Sequence, residues 1–279
     1  MTDPTFVVQY REEQIATFEQ RYSILREACV REMIFKGGSA VFQVSGSGAA
    51  TAITRGVNGQ IPYYTTDNTQ NTVSLTEAHA PFERTSFNIF ATQGNMKQVM
   101  HDEAVGTLNR AIDQAIINQL DTATLDTGTT QVAGMNIVGV AQVSLGNNNV
   151  PIWEEDNMYA VITPAFRHYL LMTTEYANGQ YVDVKPLVGP VRRMWRWMGV
   201  NWMLHTGLTG IGTSSEKCYM FHKRALGHAA NAKEMDVRVG YDEKQDTSWT
   251  RATLYHGAKL LQNTGIVQMV HDGSAFVAS

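Results

Sequence analysis

Residues 96–125, MKQVMHDEAVGTLNRAIDQAIINQLDTATL, set the frame for the whole chain. Val105, Leu108, Ile112, Ala115, Ile116 and Leu120 recur at three- and four-residue steps and form one apolar stripe. Lys97, Asp102, Arg110, Asp113 and Gln114 lie beside or opposite it. No proline interrupts the pattern, and the single glycine, Gly106, costs only about 1 kcal/mol in a helix. The stretch predicts a helix about 45 Å long at about 1.5 Å per residue. A rod of that length in a chain of 279 residues reads as the piece on which two non-contiguous sheets and a separate domain are hung, the other reading being a core helix of any mixed α/β domain.

On the N-terminal side, residues 81–92 have β character. Phe87 and Ile89 fall on one face, and Ser86, Asn88 and Phe90 on the other. Upstream, residues 39–78 change composition. No lysine occurs between Lys36 and Lys97, and threonine, serine, glycine and asparagine dominate. Two β-type runs, 40–44 and 72–76, flank a glycine-rich stretch with the turn-prone pair Asp67-Asn68, which predicts an extended hairpin. Its strand edges need a partner. Residues 11–35 read as a helix, with a narrow seam of Ile15, Phe18, Tyr22, Leu25 and Cys29 among many charges, suited to an arm lying on another surface. Gly37 and Gly38 stop it.

On the C-terminal side, residues 132–145 are weakly amphipathic and end at Gly146-Asn147-Asn148-Asn149. Residues 158–164, MYAVITP, read as a buried central strand, and 165–176 as a helix. Residues 194–203 concentrate Trp195, Trp197, Trp202, Met194, Met198 and Met203, a core or interface signature beside Arg192, Arg193 and Arg196. A flexible loop, 207–215, follows. Then come a strand at 218–222, a short alanine-rich helix at 224–230, a hairpin of 235–241 with 249–254, and a last strand at 266–270.

The totals exclude several functions. A net charge of −4 does not suit a protein that grips nucleic acid for affinity. Cys29 and Cys218 stand alone, without CxxC spacing. No apolar run reaches the roughly 20 residues needed to cross a bilayer. The N-terminus has neither the basic start nor the apolar segment of a signal peptide, so the expected location is a cytoplasm or a particle assembled there. GxxxxGK[ST], HExxH and GxSxG are absent. The loop Gly207-Leu208-Thr209-Gly210-Ile211-Gly212 lacks the lysine of a phosphate cradle. His222 and His228 do not share a helical face, His101 and Asp102 have no second ligand pair, and Glu154, Glu155 and Asp156 read as a solvated turn. The arginine group suits a subunit salt bridge better than phosphate. The reading therefore names no catalytic, cofactor-binding or metal-binding residue.

The order of parts, charged arm, long hairpin, spine helix, α/β domain with a glycine loop and returning strands, resembles the major capsid proteins of tailed bacteriophages. So do NVP (149–151), AVITP (160–164), GVNW with HTGL (199–210), ALGHAAN (225–231), VRVGYDEKQDTSW (237–249) and GAKLLQNTGIV (257–267). The resemblance covers nearly the whole chain and implies an α+β Hong Kong 97-type capsid fold. Its parts would be an N-arm (1–36), an E-loop (37–79), a peripheral P-domain (80–125 with 233–279) and an axial A-domain (126–232). It implies a non-enzymatic shell protein that assembles with itself into hexamers and pentamers around double-stranded DNA, located in the virion. Its expected partners are portal, scaffolding and decoration proteins, and DNA through weak contacts of arm residues such as Arg11, Arg21 and Arg26. It implies no membrane partner. An encapsulin-type compartment shell is the alternative reading, and a soluble oligomeric enzyme or ligand-binding protein a remote one.

Two departures from the type member matter. That member cross-links an E-loop lysine to a neighbour's asparagine, and this hairpin has no lysine. An intact shell is therefore expected to run as a single monomer band on a denaturing gel; a ladder would refute this. The type member also has a long N-terminal scaffolding segment. Here the arm begins near Met1, so scaffolding is expected from a separate protein or is dispensable.

Overall fold

The computed structural model describes residues 19–46, 50–61, 63–91, 95–128, 131–174, 194–233 and 235–274. Its spine is helix α2, Met96–Leu120. Asn95 caps it, accepting a hydrogen bond from the Gln98 N–H. At 25 residues it is about 37 Å long, one turn shorter than the periodicity predicts. The shortening has a tertiary cause. Gln268 donates its side-chain N–H groups to the carbonyls of Leu120, Asp121 and Ala123, taking the place of a further helical turn.

Two sheets meet on this helix. The first contains β1 (Val30–Ile34), β4 (Thr76–Thr85), β9 (Leu226–Asn231), β10 (Asp236–Asp242) and β11 (Thr247–Leu260). β11 is the long central strand. β4 pairs along one side of it, while β10 and then β9 pair along the other, and β1 adds in parallel to β9. Pro81 lies in β4, an edge strand, where its missing N–H costs nothing. The second sheet has the order β12-β8-β5-β7-β6: Ile266–His271, Glu216–His222, Met158–Ile162, Val200–Leu204 and Met194–Trp197. β5 lies at its centre with all five residues buried, as its uninterrupted apolar run predicts. Helices α3 (Met135–Asn147) and α4 (Pro164–Met172) complete this half, α4 capped by the Thr163 hydroxyl. Each sheet takes a strand from the other's part of the chain. β9 precedes residue 233 and joins the first sheet; β12 follows it and joins the second.

Strands β2 (Ser39–Gly46) and β3 (Asp67–Ser74) form the predicted antiparallel hairpin. A small cluster of Ala40, Val73 and Ala229, with Ile34, Phe42 and Leu75 around it, seats its base on β9. The approach is tight. A Cβ at Gly257 would stand 2.4 Å from the Ser74 carbonyl oxygen, and one at Gly227 would stand 3.1 Å from the Phe42 ring. Gly257→Ala is therefore expected to lower stability by about 1–3 kcal/mol, because backbone has to move to admit the methyl. Urea unfolding of the full chain measures this, and an unchanged midpoint would contradict it.

Three local expectations fail. Residues 11–18 lie outside the described residues, but 19–35 are not helical. They run as an irregular segment, a 3-10 turn at Leu25–Ala28, and then β1. Leu25, Ala28 and Cys29 do point inward, into the core rather than along a seam. Residues 224–230 form a 3-10 turn and strand β9. Glycine and alanine there admit the hairpin base and Phe42, a packing demand that outweighs helix propensity. Residues 86–91 form a short helix, α1 (Ser86–Ala91), rather than more strand. β4 runs out of partner at Thr85, which pairs with Thr247, the first residue of β11. Thr85 then accepts the Asn88 N–H and starts a helical turn.

Candidate assembly surfaces

Asp113 sits in the middle of the spine helix and is buried, although the periodicity places it off the apolar stripe. Its carboxylate accepts hydrogen bonds from Ser23 Oγ (2.6 Å), the Ile24 N–H (3.0 Å), the Leu25 N–H (3.2 Å) and Gln20 Nε2. His205 Nε2, just past β7, stands 3.2 Å from it. Burial would raise the carboxyl pKa, but the bonds from His205, Ile24 and Ser23, with the His205 charge, outweigh it and hold the pKa below the usual value. Two more residues fasten the same segment to the helix. Asn109 donates to the Arg21 carbonyl, and Arg110 binds Glu19 and the Gln20 carbonyl. One face of the spine thus holds the N-terminal segment in place. At the far end, Asp121 receives Thr209 and Tyr219 and pairs with Lys217, tying the helix to the second sheet.

The hairpin projects from this scaffold. Among the described residues neither β2 nor β3 has a second strand partner, so one edge of each is unpaired. Its distal part is exposed and apolar, with Ile53, Val57, Ile61, Tyr63 and Tyr64 all in solvent. A turn shapes it, Gly59 N–H to the Gly56 carbonyl and Gly56 N–H to the Gln60 carbonyl, with Gly59 at φ 73°. Between Lys36 and Glu77 the chain carries only Arg55 and Asp67 as charges.

A second exposed apolar surface lies at the other end of β11. α1 buries none of its residues, and Phe87 and Phe90 stand in solvent at 74% and 89% exposure. Val239 and Tyr241 of β10 are exposed beside the same strand end. Ser86 and Tyr241 both donate to the Asp246 carboxylate, which fixes α1 to the β10–β11 turn. The register sets the separation. α1 leaves β4 at the Thr247 end of β11, whereas β3 enters β4 at the His256 end and Asn71 reaches the Leu261 carbonyl. Thr247 and His256 are nine residues apart along β11, so these ends are about 30 Å apart. The base of the hairpin and α1 thus lie at opposite ends of the β4–β11 ladder.

The residues considered for chemistry fall into structural roles. Arg196 bonds both Glu155 and Asp156 (3.3 and 2.6 Å), so the acidic run and this arginine form an ion pair within one chain. Arg192 and Arg193 lie outside the described residues. Loop 207–215 is fastened at several points. The Gly212 N–H binds Glu216 Oε2 at 2.9 Å, the Lys217 N–H binds the Thr209 carbonyl, and the Gly273 N–H binds the Thr213 carbonyl. Gly210 and Gly212 take φ of 78° and 75°, which glycine adopts freely. His222 contacts Glu154 at 3.4 Å, away from His228. One grouping escaped the sequence reading because its members meet only across β8 and β12. Cys218 Sγ lies 3.9 Å from His271 Nδ1, whose ring faces Glu216 at 3.5 Å. All three are buried, and burial pushes the Cys218 thiol up to about 12, so it stays protonated and inert. Among the described residues no group of three or more His, Cys, Asp or Glu side chains could hold a metal, and no helix is long and apolar enough to cross a membrane.

Comparison with known proteins follows the geometry. The family model described as "Phage capsid protein" matches residues 2–272. The fold is similar to that of a chain from Mycobacterium phage Che8 (TM-score 0.73, 14% identity, covering 96% of this chain and 98% of that one). It is also similar to the capsid of Ralstonia phage GP4 (TM-score 0.71, 12% identity, 97% and 96% covered). The capsid of a native GTA particle gives a TM-score of 0.69 at 14% identity, with 96% of each chain covered. No curated protein matches the sequence.

Proposed function

The chain belongs to the phage capsid protein family and has the Hong Kong 97-type α+β capsid fold, and from that premise we propose that it is the shell-forming subunit of a tailed phage head. Copies associate as hexamers and pentamers into an icosahedral lattice that encloses double-stranded DNA in the virion. The observation that carries this reading is the pair of exposed apolar surfaces at opposite ends of β11. The hairpin tip and α1 leave each other exposed within one chain, and each is satisfied by the other surface of another copy. Contacts between unlike surfaces build rings or shells when the rotation closes. Backbone edges of β2 and β3 gain partners in the same step by strand addition.

In this reading residues 1–36 act as the N-arm, 37–79 as the E-loop, 80–125 with 233–279 as the P-domain and 126–232 as the A-domain. The exchange of β9 and β12 makes the last two interlocked rather than separable. Portal, scaffolding and decoration proteins are further partners. DNA contact is weak and non-specific, as the net charge of −4 suits. Arg11 and Arg21 remain candidates for it. Arg26 does not, since it is half-buried and faces His228 and His256. Membership of a structural capsid family argues against an enzymatic role.

Negative-stain electron microscopy with light scattering tests the proposal, on the protein expressed alone and then with its scaffolding protein. Closed shells or flat hexamer sheets are expected. A homogeneous monomer under both conditions would overturn it.

A further inference from the structure

Two buried histidines have no part in the assembly surfaces. His228 on β9 and His256 on β11 lie diagonally across the ladder with ring centroids 5.8 Å apart. Both are almost wholly inaccessible, and His228 Nε2 and His256 Nδ1 have no hydrogen-bond partner among the described residues. The charged and titratable groups around His228 come from four elements. They are His256 on β11, Arg26 on the 3-10 turn, Arg31 on β1 and Asp113 on α2; Arg26 also faces His256. Arg31 is the register partner of His228 in the parallel β1–β9 ladder, and its Nε donates to the Arg26 carbonyl. Neutral imidazoles fit this place. A protonated one sets a further cation beside two arginines, with Asp113 the one carboxylate among these neighbours and already committed to the segment 20–25.

The two arginines sit on successive elements, the 3-10 turn and β1. β1 is an edge strand of five residues with β9 as its only partner among the described residues, whereas β9 and β11 lie inside the sheet. We propose that the His228–His256 pair is an acid-sensitive latch for the segment 25–34: proton uptake there releases the turn and β1 from β9 while the β9–β11–β4 core stays paired. The sign follows from linkage. Burial first, then the His256 and arginine charges, depresses His228 to about 3 in the fold, against 6.5 when exposed. The closed state is therefore fully favoured above pH 6.5 and loses ground as pH falls from 6.5 toward 3. Each unit in that window shifts the open-to-closed ratio about tenfold through His228. The latch stands on this chain's own geometry. That the released segment is the arm that reaches a neighbour rests on the capsid reading.

Hydrogen exchange of the full chain, read by peptide and corrected for intrinsic rates, tests the latch between pH 6.5 and 4.5. Protection over 25–34 is expected to fall about a hundredfold relative to 247–260. In His228→Phe, which keeps a ring of similar size but cannot titrate, most of that differential loss should vanish. Followed on to pH 3, Arg31→Gln, at an exposed position, should show a smaller total loss that levels off at a higher pH, because removing this cation raises the folded pKa of His228. Equal loss in the two regions of the parent protein would overturn the proposal, as would an unchanged pH dependence in Arg31→Gln. The Arg31 variant decides the matter even if His228→Phe fails to fold. None of these readouts requires shells to form, so failure of the latch is separable from failure of the capsid reading.

Discussion

Asp113→Ala is expected to cost about 3–5 kcal/mol of folding stability, the range for removing one partner of a buried, hydrogen-bonded charge. The carboxylate, carried by the spine, gathers donors from two places: the segment 20–25 and His205 beyond β7. Alanine leaves two backbone N–H groups, a hydroxyl, an imidazole and the Gln20 amide without this acceptor. Each such group left buried costs about 1–3 kcal/mol, less where water enters. Against a typical total of about 5–15 kcal/mol, the loss is large. Asp113→Asn should lose less, since one oxygen still accepts while the new amide N–H₂ faces donors. The pH dependence differs as well. A carboxylate held below its usual pKa contributes stability that is present above about pH 4 and is lost as pH falls through the folded pKa. The alanine variant should lack that component. Urea unfolding at pH 7 and pH 3 measures both effects; a loss under 1 kcal/mol at pH 7 would show that water replaces the carboxylate without difficulty.

The second large effect concerns assembly rather than folding. Val57→Asp with Tyr63→Asp places two carboxylates on the exposed part of the hairpin, where both parent side chains are fully or almost fully in solvent. Neither residue packs on its own chain, so unfolding should shift by no more than about 0.5 kcal/mol per site. Shell formation should be abolished, because every copy would then bury two unpaired charges in its contact with the next. Sedimentation and electron microscopy read the outcome. Shells at parental yield would show that the distal hairpin is not a contact surface. Phe90→Asp, at the opposite end of β11, tests the receiving side. A cysteine pair at Val57 and Phe90 should form a disulfide between copies and none within one.

Several elements were legible because their signal is local. The spine helix carries its own 3.6-residue pattern, β5 its unbroken apolar run, and the β10–β11 and β2–β3 hairpins their turn residues. The errors share a cause. VREMI reads as the continuation of a charged helix, yet it becomes β1 because β9 offers an open edge in parallel register. ALGHAAN has helical composition, yet its small residues serve the close approach of Phe42 and the hairpin base. SFNIFA alternates like a strand, yet its ladder ends with the first residue of β11.

The chain by itself determined the order of parts, the length of its central rod to within a turn, and a hairpin with too little apolar surface to close on itself. Those are properties of periodicity and composition, which act over a few residues. Only the tertiary structure decided that Asp113 is the buried knot of the N-terminal segment, that His228 and His256 lie buried side by side across two strands, and that β9 and β12 trade sheets. Each of these depends on which side chains meet across dozens of intervening residues. Burial and hydrogen-bond satisfaction are set by those meetings, and no local pattern encodes them.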